Sequence, residues 1–292
     1  MTDRRFHFIS GLPRSGSTLT AALLRQNPRF HAGMASPIAS LFDGMIAQVS
    51  AGSELASTVT PAQRARLLRG LFDSYYAEIE APVVFDSNRA WTANLPALMQ
   101  VFPEARVLCL VRNVSWIMDS LERQVRSDPF EHTRLFNSPG ERSTVYTRVE
   151  ALAGATRMVG YPWHALREAC YSEFADRIVL LDYDLLVQRP KDVFGLIYDF
   201  LGEDPYEHDF DAVQYDAPAF DQGLGTPGLH RVHPVVAPRP RQTILPPEVF
   251  EKYAKLSFWR DLSDSRAFRV VADGESKADV PEAEPTDTPV LQ

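Results

Sequence analysis

Arg5–Gln26 reads RFHFISGLPRSGSTLTAALLRQ. Its first part, RFHFIS (Arg5–Ser10), is short, aromatic and β-branched, and Gly11 bounds it; this is the pattern of a buried strand. The loop GLPRSGS (Gly11–Ser17) follows. TLTAALLRQ then places Leu19, Leu23 and Leu24 at helical spacing, and Pro28 ends that helix. Strand, glycine loop and helix in succession open an α/β unit.

Outward from this stretch the pattern repeats. Phe30–Ala32 reads as a short strand, and Ile38–Ser50 and Pro61–Glu80 read as helices, the second with Thr60 as cap and Pro61 at its first position. PVVFD (Pro82–Asp86) is a third strand. A short helix carries Leu95, Leu98 and Met99 and ends near Pro103. ARVLCLV (Ala105–Val111) is a continuous apolar strand of the kind covered on both faces. VSWIMDSLERQVR (Val114–Arg126) is an amphipathic helix, RIVLLDY (Arg177–Tyr183) a further strand, and DVFGLIYDFLG (Asp192–Gly202) a helix closed by Gly202. Strands alternating with helices predict an α/β fold with a mostly parallel sheet and helices on both faces. One domain is expected over 1–265. Within it, the less regular 127–170 is expected to be a lid or an insertion on the acceptor side. Residues 266–292 are expected to form an acidic, disordered tail, since from Asp273 six Asp/Glu stand against one Lys.

The chain of 292 residues has a formal net charge of −8. That balance argues against nucleic-acid partners, whose non-specific affinity comes from neutralising phosphates with Lys and Arg. No apolar run approaches the roughly 20 residues of a membrane span, so no membrane insertion is expected. The two cysteines, Cys109 and Cys170, have no CxxC or Cys/His neighbour, so neither a metal site nor a disulfide framework is indicated. Arg4 and Arg5 precede only a short apolar stretch, unlike a signal peptide, and a reducing, cytoplasmic setting is expected.

Gly11-Leu12-Pro13-Arg14-Ser15-Gly16-Ser17-Thr18 has the spacing GxxxxGxT of a phosphate-binding loop. Glycine lets the backbone turn so that successive N–H groups converge on an anion, and the helix N-terminus adds partial positive charge. Ser15, Ser17 and Thr18 add hydroxyls. In a nucleotide triphosphatase the residue after the second glycine is Lys. Here it is Ser17, and the cation is Arg14, inside the loop. Arg112 follows the apolar strand where a magnesium-binding Asp would be sought. Both changes disfavour Mg-ATP chemistry. Asn113 and Ser115 suit a helix start. Ser120, eight residues after Arg112, lies about 12 Å further along the helix axis. A ligand along this helix would use both; otherwise they are a salt-bridged Arg and an ordinary helical Ser.

GLPRSGST followed by an apolar strand and VRNxxxxxxS resembles the family of sulfotransferases that use 3′-phosphoadenosine 5′-phosphosulfate (PAPS). The resemblance runs from about residue 6 to 260 and implies a P-loop NTPase-like sulfotransferase fold. It implies that Pro13, Arg14, Ser15, Gly16, Ser17 and Thr18 hold the 5′-phosphosulfate, with Ser17 in place of the usual Thr. Arg112 and Ser120 would hold the 3′-phosphate, with Val114 in place of the usual Pro. Two cationic pockets would thus grip opposite ends of one adenosine donor. Tyr171 resembles the aromatic that stacks on adenine in the tyrosylprotein-type branch; it reads equally as a core tyrosine. GLGTPGLHRV (Gly223–Val232) falls where the family places a loop over the nucleotide, which would bring Leu229 and Arg231 to the donor.

The implied reaction moves sulfonate from PAPS to a hydroxyl or amine of a small-molecule or peptide acceptor, releases adenosine 3′,5′-bisphosphate (PAP), and needs no metal. Catalysis would rest on alignment and charge stabilisation, with Arg14 neutralising the leaving phosphate. The family's general base is a His in one branch and a Glu in a GEE-like segment in another. The matching Gly33-Met34-Ala35-Ser36 has no carboxylate, and the family's DK[ST]P segment is Asp86-Ser87-Asn88-Arg89, where Arg89 is the nearest substitute for the missing Lys. Asp86, at the end of a strand, is the first candidate base, followed by His230 and His31. Phe130, His132, Phe136, Tyr161 and Trp163 are candidate acceptor-pocket residues or packing of the insertion. Two other readings stand beside this one: a P-loop kinase-like phosphotransferase using Mg-ATP, and a non-catalytic PAP- or PAPS-binding protein.

Overall fold

The computed structural model describes residues 4–50, 52–127, 135–218, 221–222 and 230–271. Strands β1 (Arg5–Gly11), β2 (Phe30–Ala35), β3 (Val83–Ser87), β4 (Val107–Val111), β5 (Ile178–Asp182) and β6 (Phe268–Val270) form one sheet in the order β2-β3-β1-β4-β5-β6. Every neighbouring pair is parallel. Helices among the described residues include α1 (Ser17–Leu24), α2 (Ile38–Gln48), α3 (Pro61–Tyr75), α4 (Leu95–Val101), α5 (Val114–Ser127), α6 (Pro139–Arg142), α7 (Val145–Ala153), α8 (Gly160–Cys170), α9 (Tyr183–Gln188), α10 (Pro190–Leu201) and α11 (Pro247–Ala254).

The apolar strands are buried on both faces because side chains alternate across a pleated sheet. Val107, Cys109 and Val111 of β4 and Ile178 and Leu180 of β5 join Phe42, Phe72, Leu98, Ile117 and Leu121 from α2–α5. Leu108 and Leu110, with Val179 and Leu181, face the other way, onto Leu23, Leu24, Phe194 and Ile197 of α1 and α10. Each such side chain contributes roughly 1.5–3 kcal/mol by leaving water. The expected α/β architecture is therefore the one observed.

Three expectations meet the structure here, and the first is corrected. First, the sheet continues past residue 265: Phe268, Arg269 and Val270 pair with β5 as an edge strand. Only three residues long and largely exposed, β6 has no periodicity to read. The residues beyond Val271, where the tail was expected, lie outside the described ones. Second, of the lid or insertion expected over 127–170, the described part forms helices packed on the core. α7 and α8 send Val149, Leu152, Leu166, Ala169 and Cys170 into the core. Third, of the two readings of the aromatic residues there, acceptor pocket or packing of the insertion, packing describes Phe136 and Trp163. Phe136 is buried in the core, Trp163 donates through Nε1 to the Leu256 carbonyl at 2.7 Å, and Tyr161 is exposed. Phe130 and His132 lie outside the described residues.

β1 runs so close to β4 that its last residue has no room for a side chain. Gly11 has φ +102°, and a Cβ there would lie 2.2 Å from the carbonyl oxygen and 2.5 Å from the amide nitrogen of Leu110. Both are backbone atoms of a central strand and cannot swing aside. Gly11→Ala is expected to cost about 3 kcal/mol or more, combining the backbone strain and the clash. Denaturant titration checks this; a loss under about 1 kcal/mol would contradict the packing described.

Candidate functional site

β1 and β4 are neighbours, yet β1 continues toward β2 on one side and β4 toward β5 on the other. In open α/β sheets the crevice at the C-terminal ends of such a pair is where ligands bind. The loop after β1 and Arg112 after β4 open into this crevice. The Leu12 amide donates to the Leu110 carbonyl at 2.8 Å and ties the base of the loop to β4.

The loop is built around two left-handed residues, Arg14 at φ +58° and Gly16 at φ +96°. A non-glycine residue there is uncommon and marks a site where the surroundings impose the conformation. Gly16 caps α1 without a side chain, so the first-turn amides of α1 face the crevice. The hydroxyls of Ser17 and Thr18 make no hydrogen bond among the described residues. Ser15 is buried and its hydroxyl donates to the Pro13 carbonyl at 3.3 Å, so it shapes the loop from within.

A Cβ on Gly16 would lie 2.6 Å from Cδ2 of Tyr183, so this ring packs directly on the loop. The Arg112 guanidinium sits 4.3 Å from the centroid of the same ring. Its Nε is buried without a hydrogen-bond partner among the described residues, and the nearest carboxylate oxygen, on Asp184, is 4.0 Å away. Arg14 donates through Nε to Ser120 Oγ at 3.1 Å. The loop and the second anion element are thus joined in one cleft rather than held apart. Burial lowers the pKa of Arg14, and the neighbouring charges of Arg112 and Arg241 lower it further. Burial likewise lowers Arg112, with Asp184 and Tyr183 opposing. A part-buried cluster of guanidinium groups of this kind suits an anion.

Asp86 does not belong to this cleft. It is fully buried, and its carboxylate accepts from Ser36 Oγ at 2.5 Å, Tyr76 Oη at 2.7 Å and Trp91 Nε1 at 2.8 Å. Burial raises its pKa, while these donors oppose the rise. Its role as the first candidate base is therefore corrected: it anchors β2, α3 and the turn after β3. His31 packs its ring 5.6 Å from that of Tyr76. Tyr171 is corrected as well. It is exposed at the end of α8, just before the chain enters β5, so it sits at the N-terminal edge of the sheet, opposite the cleft.

His230 has a partner that sequence reading missed. Its Nδ1 lies 2.5 Å from Oδ1 of the fully buried Asp221, and its backbone amide donates to Oδ2 at 3.1 Å. Asp221 is among the charges that act on Arg14, opposing the lowering of its pKa. Arg231 is exposed and lines a groove with Arg25, Gln214 and Tyr215; Leu229 lies outside the described residues. Tyr183, Asp221 and Arg241 were the residues overlooked. Tyr183 had a signal, being an aromatic at the C-terminal end of a central strand. Asp221 and Arg241 fall in a Pro- and Gly-rich stretch with no period to place them.

Together the sheet and the loop define an α/β protein with a P-loop-like fold, with Arg14 inside the loop and Ser17 where nucleotide triphosphatases carry lysine. The model of the sulfotransferase family matches residues 7–208, and the chain belongs to that family. Among solved structures, the chain is similar to the sulfotransferase domain from the Synechococcus PCC 7002 olefin synthase, at 18% identity over 87% of this chain and 95% of that one, with a TM-score of 0.49. It is also similar to a sulfotransferase from Alicyclobacillus acidocaldarius, at 18% identity over 76% and 89% of the two chains and a TM-score of 0.44. No curated protein sequence matches. Among the described residues no helix is long and apolar enough to cross a membrane.

The anchoring role of Asp86 is testable. Asp86→Ala leaves the Tyr76 hydroxyl and the Trp91 N–H without their acceptor and is expected to destabilise the protein by about 2–4 kcal/mol. A denaturant titration showing a loss below about 1 kcal/mol would return Asp86 to the candidate bases.

Proposed function

We propose that the protein transfers the sulfonate group of PAPS to a hydroxyl or amine of a small-molecule or peptide acceptor and releases PAP. One observation carries this reading: Arg14, fixed in a left-handed loop, is bonded to Ser120 and shares its cleft with Arg112. In this reading the α1 amides, Arg14, Ser17 and Thr18 hold the phosphosulfate. Arg112 and Ser120 hold the 3′-phosphate. Accepting from Arg14 leaves the Ser120 O–H to donate to a phosphate oxygen.

The acceptor oxygen or nitrogen attacks sulfur, and the bond from sulfur to the 5′-phosphate oxygen breaks with its electron pair on the phosphate. Arg14 and the loop stabilise the charge that grows there. The acceptor proton passes to His230, whose ring Asp221 orients and whose imidazolium it stabilises. The free, buried Cys109 and Cys170 accord with a reducing, cytoplasmic setting.

Thermal shift with PAP and with Mg-ATP tests the donor. PAP at a hundred times its Kd is expected to stabilise the protein by about 2.7 kcal/mol. Arg14→Ala and Arg112→Ala are each expected to weaken PAP binding about tenfold or more, as loss of a charge-assisted contact does. Stabilisation by Mg-ATP and none by PAP would replace this reading with a phosphotransferase.

For the base, His230→Ala is expected to lower kcat about a hundredfold or more in a labelled-PAPS assay, with a smaller loss for Asp221→Asn. Unchanged turnover in His230→Ala would remove His230 from the mechanism.

A further inference from the structure

Residues 213–215 and 232–234 run side by side as an irregular ribbon outside the sheet. The Val213 amide donates to the Pro234 carbonyl at 2.8 Å, and the Val232 amide to the Tyr215 carbonyl at 3.2 Å. The apolar side of the ribbon packs on the layer of α1 and α10, where Val213 is buried and Tyr215 and Val232 lie against the core. Tyr215 Oη also reaches β2: it stands 3.8 Å from where a Cβ on Gly33 would lie. The ribbon is thus held to the helix layer and to the edge strand at once.

The ribbon and the end of α1 enclose a groove of about 520 Å³. That volume is in the range of small-molecule sites. Its charged groups are Arg25, Arg231 and Asp216. Arg25 follows α1 directly, and its guanidinium lies 5.4 Å from the centroid of the Tyr215 ring. Burial raises the Tyr215 pKa, with the Arg25 charge opposing. The phenol therefore keeps its proton at neutral pH, and the ring supports the cation without neutralising it. Asp216 Oδ1 accepts from the Ala217 amide at 2.8 Å and is tied to its own turn. Two guanidinium groups against one carboxylate leave the groove with one net positive charge. Arg231 is the residue after His230, so the groove adjoins the base of the reaction proposed above.

We propose that this groove holds the carboxylate of the acceptor, with Arg25 and Arg231 as specificity-determining residues, so that the acceptor is a small hydroxy- or amino-carboxylate rather than a neutral alcohol or amine. This rests on the reading of the protein as a sulfotransferase with His230 as base, and it assigns Arg231 to the acceptor instead of the donor. One net positive charge suits a single carboxylate better than a phosphate dianion. A planar guanidinium matches the two oxygens of a carboxylate, which a neutral amide cannot replace. Both arginines are exposed, and two such contacts in solvent together favour the acid by about tenfold.

Transfer from labelled PAPS by the full chain, measured on matched acids and amides, tests the assignment. The probes are 4-hydroxyphenylacetate, 3-hydroxybutyrate and 6-aminohexanoate, each beside its own amide. At least one acid is expected to exceed its amide about tenfold in kcat/KM, through KM rather than kcat. Arg25→Gln and Arg231→Gln are each expected to bring that ratio down by about threefold, and the double variant to bring it close to one. Arg25→Lys keeps the charge without the fork and is expected to retain part of the preference. A structural role would raise KM for acid and amide alike. That result, a ratio that survives the double variant, or a panel on which no acid outruns its amide overturns the proposal. Calorimetry with PAP separates the two levels of the argument. Wild-type protein that binds no PAP overturns the donor reading itself, whereas PAP binding without a preference for any acid overturns the groove assignment alone.

Discussion

The passage of Gly11 against the backbone of Leu110 sets the position of everything in the cleft. Two central parallel strands approach until no side chain fits between them. The loop after β1 is then bonded at Leu12 to the same Leu110 carbonyl. Because β4 carries Arg112 directly after Val111, this contact fixes the separation between the loop and Arg112 through rigid backbone alone. No long side chain has to span the gap. Tyr183, entering from β5, fills the remaining space by packing against Gly16 on one side and Arg112 on the other. Positioning by strand ends is more precise than positioning by loops, and a reaction governed by alignment benefits from it.

Concentrating guanidinium groups in part-buried space is unfavourable in the absence of a ligand. The structure distributes compensation around the cleft rather than inside it. Asp119 takes Arg241 and Arg123, Asp184 stands off from Arg112, and the Asp221 charge acts on Arg14. Asp119 and Glu122 are one helical turn apart, and Glu122 pairs with Arg126 and Arg148 at 2.6 Å each. α5 is thus pinned by buried carboxylates along its length. Removing such a carboxylate strands its cations, which is more damaging than the pair is stabilising. The helix that carries Ser120 is held rigid by the same charges that orient the cations.

Much of the fold was legible because its strands are doubly covered. VLCLV and IVLLD are continuous apolar runs bounded by polar residues, and a buried parallel sheet requires that pattern. The glycine loop was legible because positive φ and close backbone approach demand glycine at particular spacings. β6 was not, since a three-residue edge strand buries too little to constrain its sequence. α7 and α8 were underestimated because their apolar positions fill a core already formed by other elements. Arg241 and the Asp221–His230 pair were illegible for a different reason. Arg241 and His230 stand in irregular backbone, 122 and 9 residues from their partners, and no period relates such positions.

Asp86 shows how position along a strand and direction of a side chain can part company. Its place near the end of β3 puts its backbone at the correct edge of the sheet. Strand parity then sends its side chain to the face that Val84 shares, and Val84 belongs to the core beneath α2–α5. One residue earlier or later the carboxylate would have met the opposite face. Tyr76, Ser36 and Trp91 complete the enclosure. A base needs access to a proton, and three fixed donors leave an acceptor no room to approach. In the His230–Asp221 pair the carboxylate is buried and the imidazole only partly so, which is the arrangement the proposed mechanism asks of an orienting acid and its base.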